Sequence, residues 1–576
     1  MTERMPERVT ERMRERMTEQ TSPRHYTPAA DARTAASLLL LRDGPDGQGG
    51  LEVLMLRRAE REGDQRSGVA VFPGGVLDPR DRHAHVCSLG PDDATSSAQL
   101  GLAEGGLDYL VAAVRETFEE VGLLLAEVPG GGRFELPALV PWRERLQQGS
   151  ATVAEFCAAA GLCLDLRGLV YFSHWLTPPG VPKRFDTRFF MALAPQGQQA
   201  QADLGEAVEL MWITPAQALS AERGLKLLPV TQRTLQQLSR HASATAALQA
   251  ARDALAAGPV LLTMPRRATS ARGPRVVLPD ELPYAEVARL DPAGRGDVNA
   301  DLLPGRAVRL SPHVIRVSAP NPGPMTGPGT NSYLVGAGED WTVIDPGPLS
   351  EPHRLALLAA APGRIVQILV THTHRDHSPG AGPLARSTGA PVLGRRAAHP
   401  EWQDDSFLPA REPVHGERMR LAPAVTLRVI HTPGHASNHL CFLLEEEKTL
   451  FTGDHVMQGS TVVINPPDGD MQAYLRSLQA LLAEDLDWLA PGHGFLVAEP
   501  HAVLRALIAH RLKREAKVRA ALPVGESASL DALLLRVYDD VPGALHGMAR
   551  RSLLAHLLKL QIDGVAAEHG ERWSSL

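Results

Sequence analysis

The chain is 576 residues long, 44% hydrophobic and 22% charged, with a net charge of −7 at pH 7. That length exceeds what one core serves, so three or four domains are expected, and the composition is that of a globular chain rather than a disordered one. The negative balance excludes a general attraction to nucleic acid or an anionic membrane, which only a local basic patch can supply.

The chain opens on a Thr/Glu/Arg/Met-rich run expected to be disordered over residues 1–30. Apolar strand-like runs follow, TAASLLLL and LEVLMLRR, around the Gly-rich turn DGPDGQGG. GLDYLVAAVRETFEEVGLLLA then spaces Leu107, Leu110, Val111, Val114, Phe118 and Val121 for the buried face of a helix. GLVYFSHWL, RFFMALA and MWITPAQAL predict further strands, the last running into a capped helix, with helical sequence over 215–257. Residues 265–305, rich in Arg, Pro, Gly and Asp, read as the connection between domains. VRLSPHVIRVSAPNPGP, NSYLVGAG, WTVIDPGP and RIVQILVTHTH then alternate strands with turns, with helices near 351–360 and 380–388. Beyond Pro500 the sequence is helical. No run approaches the about 18 apolar residues of a spanning helix. Cys87, Cys157, Cys163 and Cys441 are scattered without a CxxC pair, which predicts reduced thiols in a cytoplasmic setting, with no membrane partner.

THTHRDH places His372, His374, Asp376 and His377 in one short loop after a strand, and imidazole with carboxylate is the donor set expected of Zn²⁺ and similar metals. HTPGH adds His435, FTGDH adds Asp454 and APGHG adds His493, each beside glycine at a strand end. This ordered set resembles the metallo-β-lactamase superfamily. The resemblance implies a two-zinc site: His372, His374 and His435 on one metal, Asp376, His377 and His493 on the other, and Asp454 bridging. Asp345 in VIDPG then supports the ligand loop, and Asp376 is a catalytic candidate. Two adjacent metals acidify a shared water and polarise the scissile group, so hydrolysis follows as the reaction class.

NPGPMTGPGTNSYLVG, HTPGHASNHLCFLLEEEKTLFTGDHV, HRLKREAKV and LLAHLLKLQIDG look like the β-lactamase-like protein 2 subfamily over about 308–576. That resemblance implies a winged-helix-like module after the metal domain and single-stranded RNA as a candidate substrate. A glyoxalase II-like thioesterase activity is the alternative within the fold. Basic residues of the C-terminal helices, among them Arg511, Arg514, Lys517 and Arg551, either meet phosphates or form a solvated face, and packing of this module over the metal cleft, where it shapes access, is a further alternative.

In RETFEEVG, Arg115 precedes Glu116, Glu119 and Glu120, whose spacing brings three carboxylates to one side of a helix, a donor set that suits Mg²⁺ or Mn²⁺. With FPGGVLDPRD upstream this resembles an interrupted Nudix box. Gly74 and Gly75 form its loop, Asp81 stands in the place of the usual Glu, and Thr117 occupies a bulky apolar position. Between Asp81 and Arg115 lie 33 residues where the box has seven, so an insertion over 82–106 is expected to loop out. LMLRR, WLTPPGVPKRFDTRFFMA and EAVELMWITPAQAL extend the likeness to the coenzyme A diphosphatase-like subfamily. It implies cleavage of a CoA- or nucleotide-type diphosphate, with Glu206 or Glu209 as an extra ligand or base.

The expected architecture is multidomain α/β. A Nudix α/β/α sandwich over 31–240 is followed by a helical segment and linker over 241–307. A metallo-β-lactamase αβ/βα sandwich over 308–500 and a winged-helix-like domain over 501–576 complete it. The expected function is a bifunctional metal-dependent hydrolase acting on small-molecule phosphate or thioester substrates or on RNA. The competing readings are a non-catalytic, sensing or RNA-positioning Nudix half, and a nucleic-acid-binding factor built on the C-terminal module.

Overall fold

Four apolar residues in a row, Leu38 to Leu41, have no solvent side to offer, and in the structure they sit at the centre of a sheet with both faces covered. The structure, a computed structural model, describes residues 25–44, 50–59, 67–202, 207–399 and 403–576. It divides into two units between Arg266 and Arg267.

In the first unit the strand Ala32–Asp43 runs parallel to Arg184–Leu193 and antiparallel to Leu51–Arg58, within a nine-stranded sheet. The helix Gly106–Val121 buries all six of its spaced apolar residues against this sheet, and Gly122, with φ 69°, ends it in the left-handed region that glycine adopts without strain. The helix therefore stops earlier than the apolar run LLLA suggests. The first 24 residues of the expected N-terminal tail lie outside the described residues. Disorder does not extend to residue 30: the Tyr26 hydroxyl donates to Asp186 at 2.6 Å and its amide to the Gly101 carbonyl at 2.7 Å.

The insertion between loop and helix is ordered. It carries a 3₁₀ helix Asp81–Cys87, a short strand Ser88–Leu89 and a helix Asp93–Leu100. A second inserted stretch after the helix, which no motif in the sequence marks, joins it. Ser88–Leu89 pairs with Cys163–Asp165, and Phe156 of the helix Val153–Ala160 stacks on Phe118 with ring centroids 5.4 Å apart.

The second unit contains two six-stranded sheets. One runs from Ala307–Ser311 to Val392–Leu393 and the other from Arg418–Ala422 to Val497–Ala498. Tyr333, Ile344 and Leu369 of the first share a core with Leu427, Phe442 and Phe451 of the second, so the sheets pack face to face. Helices Glu351–Ala360 and Ala381–Thr388 flank one sheet, and Met471–Leu481 flanks the other. The helix Pro500–Ala521 leads to a module of helices Leu530–Val537 and His546–Ile562 with a three-stranded sheet.

The expected linker is not a free connection. The helix Ala244–Ala257 packs on the first unit's sheet, whereas the strand Gly273–Val277 and the helix Tyr284–Leu290 belong to the second unit. There Glu286 accepts two hydrogen bonds from Arg316, at 2.6 and 2.8 Å, with both side chains almost fully buried. A buried charge pair of this kind ties the segment into the fold.

Candidate metal centres

In the second unit, strand ends deliver the ligand candidates to one place. His372, His374 and His435 form one group and Asp376, His377, Asp454 and His493 the other, with potential ligand atoms inside each group within 4.8 Å of one another. His374 Nδ1 lies 2.9 Å from His372 Nε2 and 3.1 Å from His435 Nε2. Asp454 reaches both groups: its Oδ1 is 3.3 Å from His377 Nε2 and from His493 Nε2, and its Oδ2 is 3.8 Å from His435 Nε2.

The far side of each ring is held. His377 Nδ1 meets Asp345 Oδ2 at 2.9 Å, His435 Nδ1 the Val463 carbonyl at 2.8 Å, and His493 Nδ1 the Gly329 carbonyl at 3.2 Å. Asp345, at a positive φ of 51°, also takes the Thr371 amide and hydroxyl, each at 2.7 Å, and so fixes the start of the ligand loop. Such outer partners set the tautomer that leaves the other nitrogen free to coordinate.

The residues fit a pair of divalent ions on two observations. His377 Nε2, His493 Nε2 and Asp454 Oδ1 are buried without a hydrogen-bond partner although they face one another, a costly arrangement that a shared cation relieves. A Cβ on Gly492 would fall 2.6 Å from Asp454 Oδ1 and 2.8 Å from His377 Cε1, so the backbone has been kept clear at the cluster. Burial, and then the neighbouring histidines, hold His372 well below the usual imidazole range. Burial and His435 bring His374 to about 3. Both are therefore neutral, the form that binds metal. Burial also acts to lower His493, but Asp454 and Asp376 outweigh it and raise the group to about 9.

In the first unit Gly74 and Gly75 bring the FPGG loop onto the Glu-bearing helix. The Gly74 amide donates to Glu120 Oε2 at 2.9 Å, and a Cβ on Gly75 would lie 2.4 Å from the Glu116 carboxylate. Arg115 gathers the remaining acids: Nε to Asp81 Oδ1 at 2.8 Å, Nη1 to Glu116 at 2.7 Å and to Glu119 at 3.4 Å. Burial and then Glu116 push Glu119 up to about 7, against the opposing pull of Arg115, so the pocket is short of positive charge. Thr117, at the bulky apolar position, is fully buried and donates its hydroxyl to the Ala113 carbonyl, which makes it tolerable there. Glu116, Glu119 and Glu120 do not close into a ligand group as tight as those of the second unit. Glu209 lies elsewhere, paired with Arg57 and Arg223, and Glu206 lies outside the described residues.

Sequence reasoning passed over four further residues. His439 is fully buried with its ring stacked 5.0 Å from that of His372, and His455 lies behind it. Asp468 accepts from Ser437 and from Gln403, whose Oε1 in turn accepts from Thr373 in the ligand loop. The histidines adjoin recognised motifs in HASNH and GDH. Nothing local marks Gln403 or Asp468.

A model of the metallo-beta-lactamase superfamily matches residues 325–493, one of the NUDT19 Nudix domain 94–228, and one of the beta-lactamase associated winged helix domain 529–573. The Beta-lactamase-like protein 2 homolog of Drosophila melanogaster is 31% identical over 278 residues, which are 46% of this chain and 92% of that protein. The chain belongs to the metallo-β-lactamase superfamily. Its superfamily domain is followed by the associated winged-helix domain and preceded by a NUDT19-type Nudix domain. An Atrochrysone carboxyl ACP thioesterase of Aspergillus chevalieri is 36% identical over 218 residues, 37% of this chain and 67% of the relative, and two further thioesterases are covered over 64% and 66%. The chain thus spans about two thirds of the length of these relatives. A crystal structure of a Nudix hydrolase from Alicyclobacillus acidocaldarius, 28% identical, aligns over 38% of this chain and 97% of that one with a TM-score of 0.34. Both families are metal-dependent, and the chain is a hydrolase. No helix of the described residues is long and apolar enough to cross a membrane.

Proposed function

We propose a two-headed hydrolase whose metallo-β-lactamase half cleaves acyl thioesters and whose Nudix half cleaves a CoA- or nucleotide-type diphosphate. The observation that carries the thioester reading is a cleft of about 870 Å³ over both ligand groups, walled by Met325, Met457, Val462, Val541, Leu545 and Met548. An apolar wall stabilises an acyl chain through burial. The thioesterases among the relatives support the same choice over single-stranded RNA.

Two Zn²⁺ ions held by the His₃ and Asp₂His₂ groups would supply an acidified water and polarise the thioester carbonyl. Asp376, with its Oδ2 3.3 Å from His493 and 3.4 Å from His377, would orient that water and accept its proton. Asp454 keeps the two groups in register. In the Nudix half, Glu116, Glu119 and Glu120 would hold Mg²⁺ or Mn²⁺ beside the diphosphate. An acyl-CoA would serve both halves, because thioester hydrolysis releases a diphosphate-bearing thiol. The four cysteines support a reducing, cytoplasmic setting.

The test is a substrate panel of acyl-CoA, lactoylglutathione, CoA, nucleoside diphosphate sugars and single-stranded RNA. It is run on the parent, on His374→Ala and on Glu119→Gln/Glu120→Gln. The reading requires thioesterase activity lost with His374 and diphosphatase activity lost with the two glutamates, each without the other. RNA cleavage without thioesterase activity overturns it.

A further inference from the structure

The acids that line the cleft are already engaged. Asp376 and Asp454 sit in the ligand groups, and Asp468 is held by Ser437 and Gln403. Among the arginines that line it, Arg511 is in a different condition. Arg514 is neutralised by Asp540, at 2.8 and 3.1 Å. Arg511, on the same helix, is only 4% exposed, yet no carboxylate pairs with it among the described residues. Its guanidinium lies 5.4 Å over the Tyr474 ring, donates to the Val462 carbonyl, and leaves Nε without a partner.

A buried cation without a counter-charge is costly, and this one stands at the reactive end of the cleft. The carbonyl it holds belongs to the residue before Val463, whose own carbonyl holds His435. Arg551, from the helix His546–Ile562, and Arg375, from the ligand loop, line the same space. Once metal neutralises the ligand-group aspartates, the cleft is basic on the side supplied by the C-terminal module and apolar around it.

We infer that the C-terminal module is the specificity wall of the metal site: Arg511 and Arg551 receive an oxyanion group carried by the substrate, so the preferred thioester is anionic at a point away from the scissile bond. This rests on the thioester reading and names its substrate class. The oxyanion is either a phosphate on the thiol carrier or a carboxylate on the acyl group.

The full-length zinc-loaded protein separates these with two matched pairs. Octanoyl-phosphopantetheine and octanoyl-pantetheine differ by the carrier phosphate, and glutaryl- and pentanoyl-N-acetylcysteamine differ by an acyl carboxylate. The anionic member of one pair should show a KM lower by roughly tenfold, as expected for a charge-assisted contact, and the pair that responds identifies the source. Arg551→Gln, at an exposed position that should fold normally, and Arg511→Lys should collapse that preference. Titration calorimetry with phosphopantetheine against pantetheine, and with glutaramate against pentanamide, reads the same preference without turnover. A wild type that turns over all four thioesters with no anionic preference, or a preference that survives both substitutions, overturns the inference. A wild type that turns over none overturns the thioester reading, while the calorimetric pairs still decide whether the wall binds anions.

Discussion

Asp81 and Arg115 form a two-point ion pair, Nε to Oδ1 at 2.8 Å and Nη2 to Oδ2 at 3.1 Å, across an insertion that separates them by 33 residues. Asp81 is 2% exposed and also accepts the Asp78 amide at 2.8 Å. The carboxylate that departs from the usual Glu is therefore the anchor of the arginine, and through it of Glu116 and Glu119. Asp81→Ala should lower the stability of the first unit by about 2 kcal/mol, the scale of a lost hydrogen-bonded charge contact, and should abolish diphosphatase activity. Urea denaturation measures the first effect. A Lys in place of Arg115 lacks the planar fork and should not restore activity.

Gly75 and Gly492 perform the same service in the two halves, keeping Cβ volume away from a carboxylate. Gly75→Ala places an atom 2.4 Å from Glu116, and Gly492→Ala places one 2.6 Å from Asp454. The Gly75 overlap falls on the movable end of the Glu116 side chain and displaces that carboxylate, whereas the Gly492 overlap falls within a buried cluster and should cost about 1–3 kcal/mol. Gly492→Ala should therefore lower zinc content, measured by plasma emission spectrometry, and depress thioester hydrolysis at least about tenfold. Gly75→Ala should depress only the diphosphatase activity. Loss of both activities from either substitution would sink the independence of the two sites.

The candidate metal ligands were legible because chemistry compresses them. His372, His374, Asp376 and His377 fall in one loop, and His435, Asp454 and His493 each follow a strand with glycine beside them, so spacing along the chain encodes proximity. The sheets and the Glu-bearing helix were legible from apolar periodicity for the same reason. Pairings set by tertiary packing were not. Glu209 reads as a spare carboxylate near a motif, yet strand pairing carries it to Arg57. The second inserted stretch, the docking of Tyr26 and the path of 267–305 depend on partners over 70 residues away or on single buried ion pairs, which leave no periodic trace.

The pair of Glu286 and Arg316 is the clearest example of such a partner. Glu286 Oε2 also accepts the Leu496 amide at 2.9 Å, so one carboxylate joins the helix Tyr284–Leu290, a strand of the first sheet and the segment just after His493. Glu286→Ala leaves a buried guanidinium unpaired and should cost about 3 kcal/mol or more. The loss is expected in the unfolding midpoint of the second unit, and Glu286→Ala/Arg316→Met should recover much of it. A double variant no more stable than the single one would show that the pair does more than cancel its own burial.

Cys87 and Cys157 stand 70 positions apart, and the packing of the 3₁₀ helix Asp81–Cys87 against the helix Val153–Ala160 brings their thiols into interaction. The neighbouring Cys157 thiol favours the Cys87 thiolate and lowers that group to about 7, against burial and although the Cys87 thiol donates to the Ala84 carbonyl at 3.3 Å. Thiolate is the reactive form, so alkylation of Cys87 should rise as pH passes through about 7 and level off above it. Cys157, 1% exposed, should stay protected across that range. Removing that thiol with Cys157→Ala should move the midpoint of Cys87 labelling upward toward that of a free thiol, as read by iodoacetamide labelling and peptide mass spectrometry at a series of pH values. An unchanged midpoint in that variant would mean that the Cys157 thiol does not set the acidity of Cys87.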